Sequence, residues 1–374
     1  MRASELIQHI NRKKDFRYSS SEGSFQISSM KDNNGKVNGF EIITRIVDKC
    51  NYRCMYCGVG FKALSKKSFS NLINVLERSD LKGSRIVISG GEPTLSRYFV
   101  SAMHRLVKTN CTEIQVQTNA VRLSDPEFFD SLPHDDRIKL FISFPSHRRD
   151  HYEKITQSRS YEHAKEGLRK AATRYRIEIC MVVNMINHMD ICDNIVFIED
   201  LIGASNFQFS ISNVFVNQGI DGERFIVRYS SVKPNIEAAK DYSDRQRDIV
   251  LNAKDNGFDI PHNRRLRMPW SYAMTGEIKQ AQISTDEFLF VSTPQSGECS
   301  FPFCVRPENL KIPPCDNVRS ENTADMSYGS QDKKFFKALD CKSCAYDNIC
   351  TGFQTEYVKR FGTSEIRPMR DNRP

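Results

Sequence analysis

The sequence predicts an α/β protein built on a parallel sheet. Short apolar, β-branched runs alternate with amphipathic segments through the middle of the 374-residue chain, and that rhythm puts helices on the outer face of parallel strands. Polar residues gather where several of the apolar runs stop, as expected for strand tips that carry function. The first strand is expected at Phe40–Val47, followed by a helix over Lys67–Ser79. Arg85–Ser89 then Arg97–Lys108, and Glu113–Thr118, form the next strand–helix pair and a third strand. Ile138–Ser143 reads as a strand with its helix at Glu162–Tyr175, Ile177–Asn184 as a strand with its helix at Ile191–Leu201, and Phe207–Asn213 as the sixth strand. A long charged helix (Asn235–Gly257) and a hairpin-like stretch (Thr285–Ser292) follow.

Composition narrows the class. Lys and Arg number 54 against 46 Asp and Glu, a formal +8 that is spread along the chain. That spread argues for an anionic partner only weakly and gives no dedicated nucleic-acid face. No signal peptide opens the chain and no apolar run is long enough for a membrane span, so a soluble, cytoplasmic protein is expected. Clustered cysteines in such a chain point to metal, not to disulfides.

Three of the 12 cysteines fall within eight residues, Cys50, Cys54 and Cys57, directly after the first strand. A cubane iron–sulfur cluster takes one thiolate per iron. Three thiolates leave one iron open to a chelating small molecule, whereas a structural zinc site is closed by four ligands. Downstream, the strand Arg85–Ser89 runs into Gly90, Gly91, Glu92, Pro93 and Thr94. Two glycines there let backbone approach a ligand closely.

The C-x3-C-x2-C spacing with Tyr56 before the last cysteine, followed by Gly-Gly-Glu-Pro, resembles the radical SAM superfamily over roughly residues 40–215. The resemblance implies a partial (β/α)6 barrel, with a [4Fe–4S] cluster on Cys50, Cys54 and Cys57 and S-adenosyl-L-methionine (SAM) chelated to its fourth iron. It implies that Gly90, Gly91 and Glu92 hold the methionyl ammonium, that Pro93 fixes the turn, and that Ser143, Asn184, Thr118 and Asn119 contact the ribose or carboxylate. For each of these four, a turn residue satisfying its own loop is the plainer alternative. His147 and His151 flank Arg148 and Arg149 in a segment read as a solvated charged loop, with proton transfer or substrate contact as the other possibility. Cys111, Cys180 and Cys192 are expected in the core.

Six cysteines crowd into residues 299–350, and Cys341, Cys344 and Cys350 are spaced C-x2-C-x5-C. That run resembles the SPASM and twitch extensions, which hold auxiliary [4Fe–4S] clusters. The pattern departs from a full SPASM motif: Gln354 stands where a further cysteine is expected, and no cysteine follows Cys350. The expectation is one auxiliary cluster on Cys341, Cys344, Cys350 and Cys315, with Cys299 and Cys304 spare or on an incomplete second cluster. Zinc on the same cysteines is the alternative. The domain reading is an N-terminal segment (1–39), the barrel (40–215), a helical linker region (216–284) and the auxiliary-cluster domain (285–374).

The resemblance implies hydrogen abstraction by a 5′-deoxyadenosyl radical, with an external electron donor such as flavodoxin or ferredoxin. The leading expectation is maturation of a ribosomally made peptide, with a separate leader-peptide recognition protein. Small-molecule tailoring and a non-catalytic iron–sulfur scaffold are the other readings.

Overall fold

The computed structural model describes residues 25–31, 37–57, 63–202, 207–214, 224–255, 289–291, 302–305, 326–331, 333–348 and 350–369. In chain order the elements are β1 (Phe25–Lys31), β2 (Val37–Arg45), α1 (Lys66–Leu76), β3 (Arg85–Ser89), α2 (Phe99–Leu106), β4 (Glu113–Thr118), α3 (Pro126–Asp130) and β5 (Ile138–Ser143). They continue with α4 (Arg149–Thr156), α5 (Tyr161–Ala171), β6 (Arg176–Val183), α6 (Ile191–Ile202), β7 (Phe207–Asn213), α7 (Tyr229–Asp255) and β8 (Leu289–Val291). The last are β9 (Met326–Tyr328), β10 (Phe335–Lys337), β11 (Phe353–Gln354) and α8 (Thr355–Phe361). The chain divides into two compact units: Met1–Arg53, Val59–Phe144 and Ser158–Glu178 form one, and Cys54–Gly58, Pro145–Gln157 and Ile179–Pro374 the other.

In the first unit β1 runs antiparallel to β2, with Ile27 opposite Ile42. Strands β2, β3, β4 and β5 then pair in sequence order, all parallel. This is the α/β architecture expected. The helices follow from their spacing. Phe69, Leu72, Ile73 and Leu76 are the large apolar residues that α1 buries, and Phe99, Ala102, Met103 and Leu106 are the buried set of α2. Both are i, i+3, i+4, i+7 stripes, and each large apolar side chain so buried contributes about 1.5–3 kcal/mol. Ser65 caps α1 by accepting from the Ser68 N–H at 3.1 Å. Asp125 caps α3 in the same way, with Pro126 at its first position.

In the second unit β7 and β8 are parallel, Phe209 opposite Leu289. Of the stretch Thr285–Ser292, expected as hairpin-like, only Leu289–Val291 lies within the described residues, and it pairs parallel with distant β7. Near the C-terminus β10 pairs parallel with β9 and antiparallel with β11. Buried Tyr229 stacks on Tyr357 of α8 with ring centroids 4.2 Å apart, and the Tyr357 hydroxyl accepts from the Tyr229 N–H at 2.9 Å. Among the described residues no helix is long and apolar enough to cross a membrane.

Several elements lie beyond the sequence expectation, α3 and the C-terminal β9 to α8 among them. Strand β1 falls in the segment read as an N-terminal lead-in, and α4 takes up the charged stretch read as a loop. Helix α4 forms because Tyr152, Ile155 and Thr156 are buried on one side while Arg149, Asp150 and Glu153 stay accessible.

Candidate functional site

The site begins where β3 ends. Gly90 has φ +145°, and a Cβ there would lie 2.3 Å from the Val47 carbonyl oxygen. At Gly91 a Cβ would meet the Lys49 oxygen at 2.4 Å. Both positions therefore require glycine, for backbone strain at the first and close approach at both. That approach is stitched by hydrogen bonds: the Gly91 N–H donates to Val47 O at 2.8 Å and the Glu92 N–H to Lys49 O at 2.9 Å. The Gly-Gly-Glu turn is thus fastened to the root of the segment that enters Cys50.

Glu92 is 1% exposed. Its Oε1 accepts from the Thr94 N–H at 3.1 Å, the Thr94 hydroxyl at 2.6 Å and the Thr118 hydroxyl at 2.7 Å. Its Oε2 accepts from the Asn119 N–H at 2.7 Å. Burial pushes the carboxyl above its ordinary range, while these four donors pull it back. The arrangement fixes a carboxylate in a dry place, which suits recognition of a cation. Pro93 opens the single 3-10 turn that brings Thr94 under Glu92.

Asn119 links this turn to the cysteine segment within the first unit. Its Nδ2 donates to Asn51 Oδ1 at 2.7 Å and lies 4.0 Å from Cys50 Sγ. The Tyr52 N–H donates to Cys50 Sγ at 3.3 Å. Amide donors on a thiolate sulfur stabilise its charge and tune the metal it holds. Asn51 and Tyr52 were not singled out from sequence, although they sit between two predicted ligands.

Cys54 and Cys57 count with the second unit. There the Cys57 N–H closes a turn onto Cys54 O at 3.0 Å, and the Met55 N–H donates to Ile155 O of α4 at 3.1 Å. Burial raises the Tyr56 phenol, with the neighbouring thiols of Cys54, Cys180 and Cys57 adding to it. Cys50 and Cys57 are exposed and Cys54 half-buried, with no disulfide at any of them. Three reduced thiols on one short segment are a donor set that fits an iron–sulfur cluster. Among the described residues no three His, Cys, Asp or Glu side chains already converge on a single metal position.

The remaining expected contacts divide. Thr118 and Asn119 direct a hydroxyl and an amide N–H onto Glu92, so their place is beneath the carboxylate. Ser143 ends β5 half-buried. Asn184 turns inward on its own loop: its Nδ2 donates to Val182 O at 3.0 Å and its Oδ1 accepts from the Ile186 N–H at 2.9 Å. Those are bonds that a turn residue makes to its own loop. His151 is ordered by buried Asp190, with Nδ1 2.6 Å from Oδ2, and the Ser146 hydroxyl reaches the same oxygen at 3.3 Å. Cys111 and Cys180 are buried as expected, and Cys192 is half-buried.

Among the C-terminal cysteines, Cys299 and Cys315 lie outside the described residues. Cys304 is half-buried, and its thiol is pushed up to about 12, first by burial and then by the nearby thiols of Cys350, Cys341 and Cys344. All four cysteines therefore belong to one electrostatic neighbourhood. Backbone amides serve two of the sulfurs: the Met369 N–H donates to Cys344 Sγ and the Gly352 N–H to Cys350 Sγ, each at 3.3 Å. Lys337, 2% exposed at its side chain, pairs with Asp347 at 2.9 Å and locks the turn that carries Cys344 and Cys350.

Comparison with known proteins adds the following. Residues 44–198 match the profile of the radical SAM superfamily. A GTP 3′,8-cyclase of Petrotoga mobilis is 32% identical over 133 residues, covering 34% of this chain and 41% of that protein. A GTP 3′,8-cyclase of Listeria welshimeri is 27% identical over 183 residues, covering 46% and 54%. The chain thus spans about half the length of the curated relatives it matches. Among solved structures, SuiB of Streptococcus suis superposes with a TM-score of 0.48 at 13% identity, over 89% of this chain and 76% of that one. With the cysteine triplet, the fixed Gly-Gly-Glu turn and the parallel strands in place, residues 44–198 are a domain of the radical SAM superfamily of enzymes.

Proposed function

We propose that this protein binds SAM at the Gly90–Gly91–Glu92 turn and cleaves it reductively to start hydrogen abstraction from a substrate. One observation carries the reading: a buried carboxylate, held by four hydrogen bonds, sits on a turn whose backbone is fastened to the root of the cysteine segment. Cys50, Cys54 and Cys57 would hold the [4Fe–4S] cluster, which when bound supplies the electron that breaks the sulfonium bond. Glu92 receives the methionyl ammonium, an ion pair that relieves the cost of its burial. Thr94, Thr118 and Asn119 keep that carboxylate from turning away. Ser143 is retained as a ribose or carboxylate contact, and Tyr56 covers the cluster segment.

A second [4Fe–4S] cluster is proposed in the C-terminal extension on Cys341, Cys344, Cys350 and, in place of Cys315, Cys304. The shared neighbourhood of these four thiols supports that choice. Electrons would come from a flavodoxin or ferredoxin, and the enzyme would work in the cytoplasm.

For the substrate, the names of the matched relatives favour a small molecule, since a GTP 3′,8-cyclase acts on a nucleotide. A ribosomal peptide, read from the cysteine-rich extension and served by a leader-recognition protein, is the second reading. Anaerobic reconstitution followed by reduction with dithionite tests the core claim: 5′-deoxyadenosine should form from SAM in wild type and be lost in Glu92→Ala. Equal yields from the two proteins would refute the assignment of Glu92. No 5′-deoxyadenosine from a protein that has taken up about four irons per cluster would refute SAM cleavage itself.

A further inference from the structure

Several cations of the first unit sit on carboxylates: Arg85 on Glu41 and Glu113, Arg105 on Glu77, Arg137 on Asp135 and Lys165 on Glu162. The surface around the segment that enters Cys50 is different. Cys50 is exposed, and Lys49 and Arg53 on either side of it in the chain are exposed as well. Val47 and Asp48, just ahead of Cys50, line a groove of about 430 Å³. Its other walls carry Lys66 at the start of α1, and Leu95, Arg97 and Tyr98 between the Gly-Gly-Glu turn and α2.

Tyr98 gathers the two groove cations. The Lys66 ammonium lies 5.5 Å and the Arg97 guanidinium 4.7 Å from the centroid of its ring, contacts that hold the cations in place without neutralising them. Among the described residues neither makes an ion pair, and Asp48 is the one acid lining the groove. Lys49, Arg53 and Lys67, all exposed, extend the positive surface. Leu95 is among the exposed large apolar side chains and gives the groove an apolar contact point. A small anion is held tightly by donors that converge on one point. Here the cations are spread over an exposed surface around an apolar patch, which suits a broad acidic protein face.

We propose that this groove and its basic rim are the docking surface for an acidic electron-transfer protein, one that carries a reduced flavin or iron–sulfur centre. The proposal rests on the SAM-cleavage reading for the need of an electron, and not for the surface itself. In the step it serves, one electron leaves the donor's reduced centre and lowers the charge of the [4Fe–4S] cluster by one. No bond forms or breaks, and the donor departs oxidised by one electron. The place suits the task, because Asp48 stands two residues before Cys50 and a donor seated there meets the root of the cluster segment. Electron-transfer encounters are small, below about 1,200 Å² of total buried surface, and opposite charge steers them together.

Calorimetric titration of the anaerobically reconstituted full chain with an acidic flavodoxin, and separately with an acidic [2Fe–2S] ferredoxin, tests the surface without any SAM turnover. One of the two should bind saturably, and more weakly as salt rises. The double variant Lys66→Glu, Arg97→Glu should bind it at least tenfold more weakly. Lys82→Glu, which reverses an exposed charge ahead of the amino end of β3, should bind it as wild type does. Because the double variant can fail to fold, wild type is also cross-linked to the donor with a carbodiimide, and mass spectrometry should find Lys66 or Lys67 joined to a donor carboxylate. Formation of 5′-deoxyadenosine then separates docking from chemistry. Driven by the reduced donor it should fall at least fivefold in the double variant, and driven by dithionite it should match wild type. No yield with dithionite in wild type would refute SAM cleavage, while the titration and the cross-link still decide the surface. Equal donor affinity in wild type and the folded double variant, no cross-link at Lys66 or Lys67, no saturable binding of either donor, or an equal loss with donor and dithionite overturns the proposal. So does saturable binding of inorganic pyrophosphate that the double variant abolishes while neither donor binds, which would make the groove a small-anion site.

Discussion

Thr118 donates its hydroxyl to Glu92 across two adjacent strand ends, Oγ1 to Oε1 at 2.7 Å, with both residues buried. A hydrogen bond to a buried charged group contributes about 1.5–3 kcal/mol. Thr118→Val keeps the shape and removes the donor. It should lower stability by about that amount and weaken SAM binding several-fold, because the carboxylate loses one of the contacts that aim it. Thr118→Ser restores the donor and should recover most of the affinity. SAM affinity and urea unfolding of the three proteins check this; an unchanged affinity in Thr118→Val would remove Thr118 from the site.

Burial raises the Glu92 carboxyl above its ordinary 4.5, and the sign of the consequence is fixed by linkage. The native state keeps its proton to higher pH than the unfolded chain, so between 4.5 and the raised native value the native state binds more protons. Stability from this group is therefore present below that window and is lost as pH rises through it. In Glu92→Gln the group no longer titrates. The stability difference between wild type and Glu92→Gln should shift against wild type as pH climbs from 4.5 toward neutrality. Saturating SAM, with the proposed pairing of its ammonium and the carboxylate, should reverse the shift in wild type alone. Parallel urea midpoints across that range, with and without SAM, would contradict both the burial effect and the ion pair.

What could be read from the sequence follows the range of the forces involved. Helices α1 and α2 announce themselves because their buried residues recur every three or four positions, and β3 to β5 because their β-branched runs end in glycine or polar residues. Strand β1 did not, since FQISSMK is stabilised by its pairing with β2, which local pattern cannot report. Helix α4 is hidden under Arg149, Asp150 and Glu153; its order comes from Tyr152 and Ile155 packing away from water and from the Met55 amide on Ile155 O. The polar tip at Thr118 and Asn119 was visible, but its direction was not. Only the register of β4 beside β3 turns both residues toward Glu92. The hydrogen bonds of Asn184 to its own loop were likewise beyond what the motif alone could tell.

Gly91→Ala tests how tightly the turn is held. The added Cβ would stand 2.4 Å from Lys49 O, a backbone atom that cannot swing aside, so the turn and the root of the cysteine segment must separate. The hydrogen bonds Gly91 N–H to Val47 O and Glu92 N–H to Lys49 O are then strained or lost. A cost of about 1–3 kcal/mol from overpacking is expected, together with SAM affinity reduced tenfold or more. Wild-type SAM affinity in Gly91→Ala would mean that the close approach is incidental.

The proposed auxiliary cluster makes the sharpest division between Cys304 and Cys315. Each cubane takes up about four irons, so wild type should reconstitute to about eight per chain. With Cys50, Cys54 and Cys57 all changed to Ala, the iron that remains reports the C-terminal extension alone. In that background Cys304→Ser should lower the retained iron or shift the cluster's electron paramagnetic resonance after reduction, because a thiolate is replaced by a weaker oxygen ligand. Cys315→Ser should leave both unaltered. The choice follows from the nearness of Cys304 to the thiols of Cys341, Cys344 and Cys350, which act on it electrostatically. If Cys315→Ser changes the spectrum and Cys304→Ser does not, the fourth ligand lies after Pro313–Pro314, and Cys304 is a buried thiol packed beside the cluster.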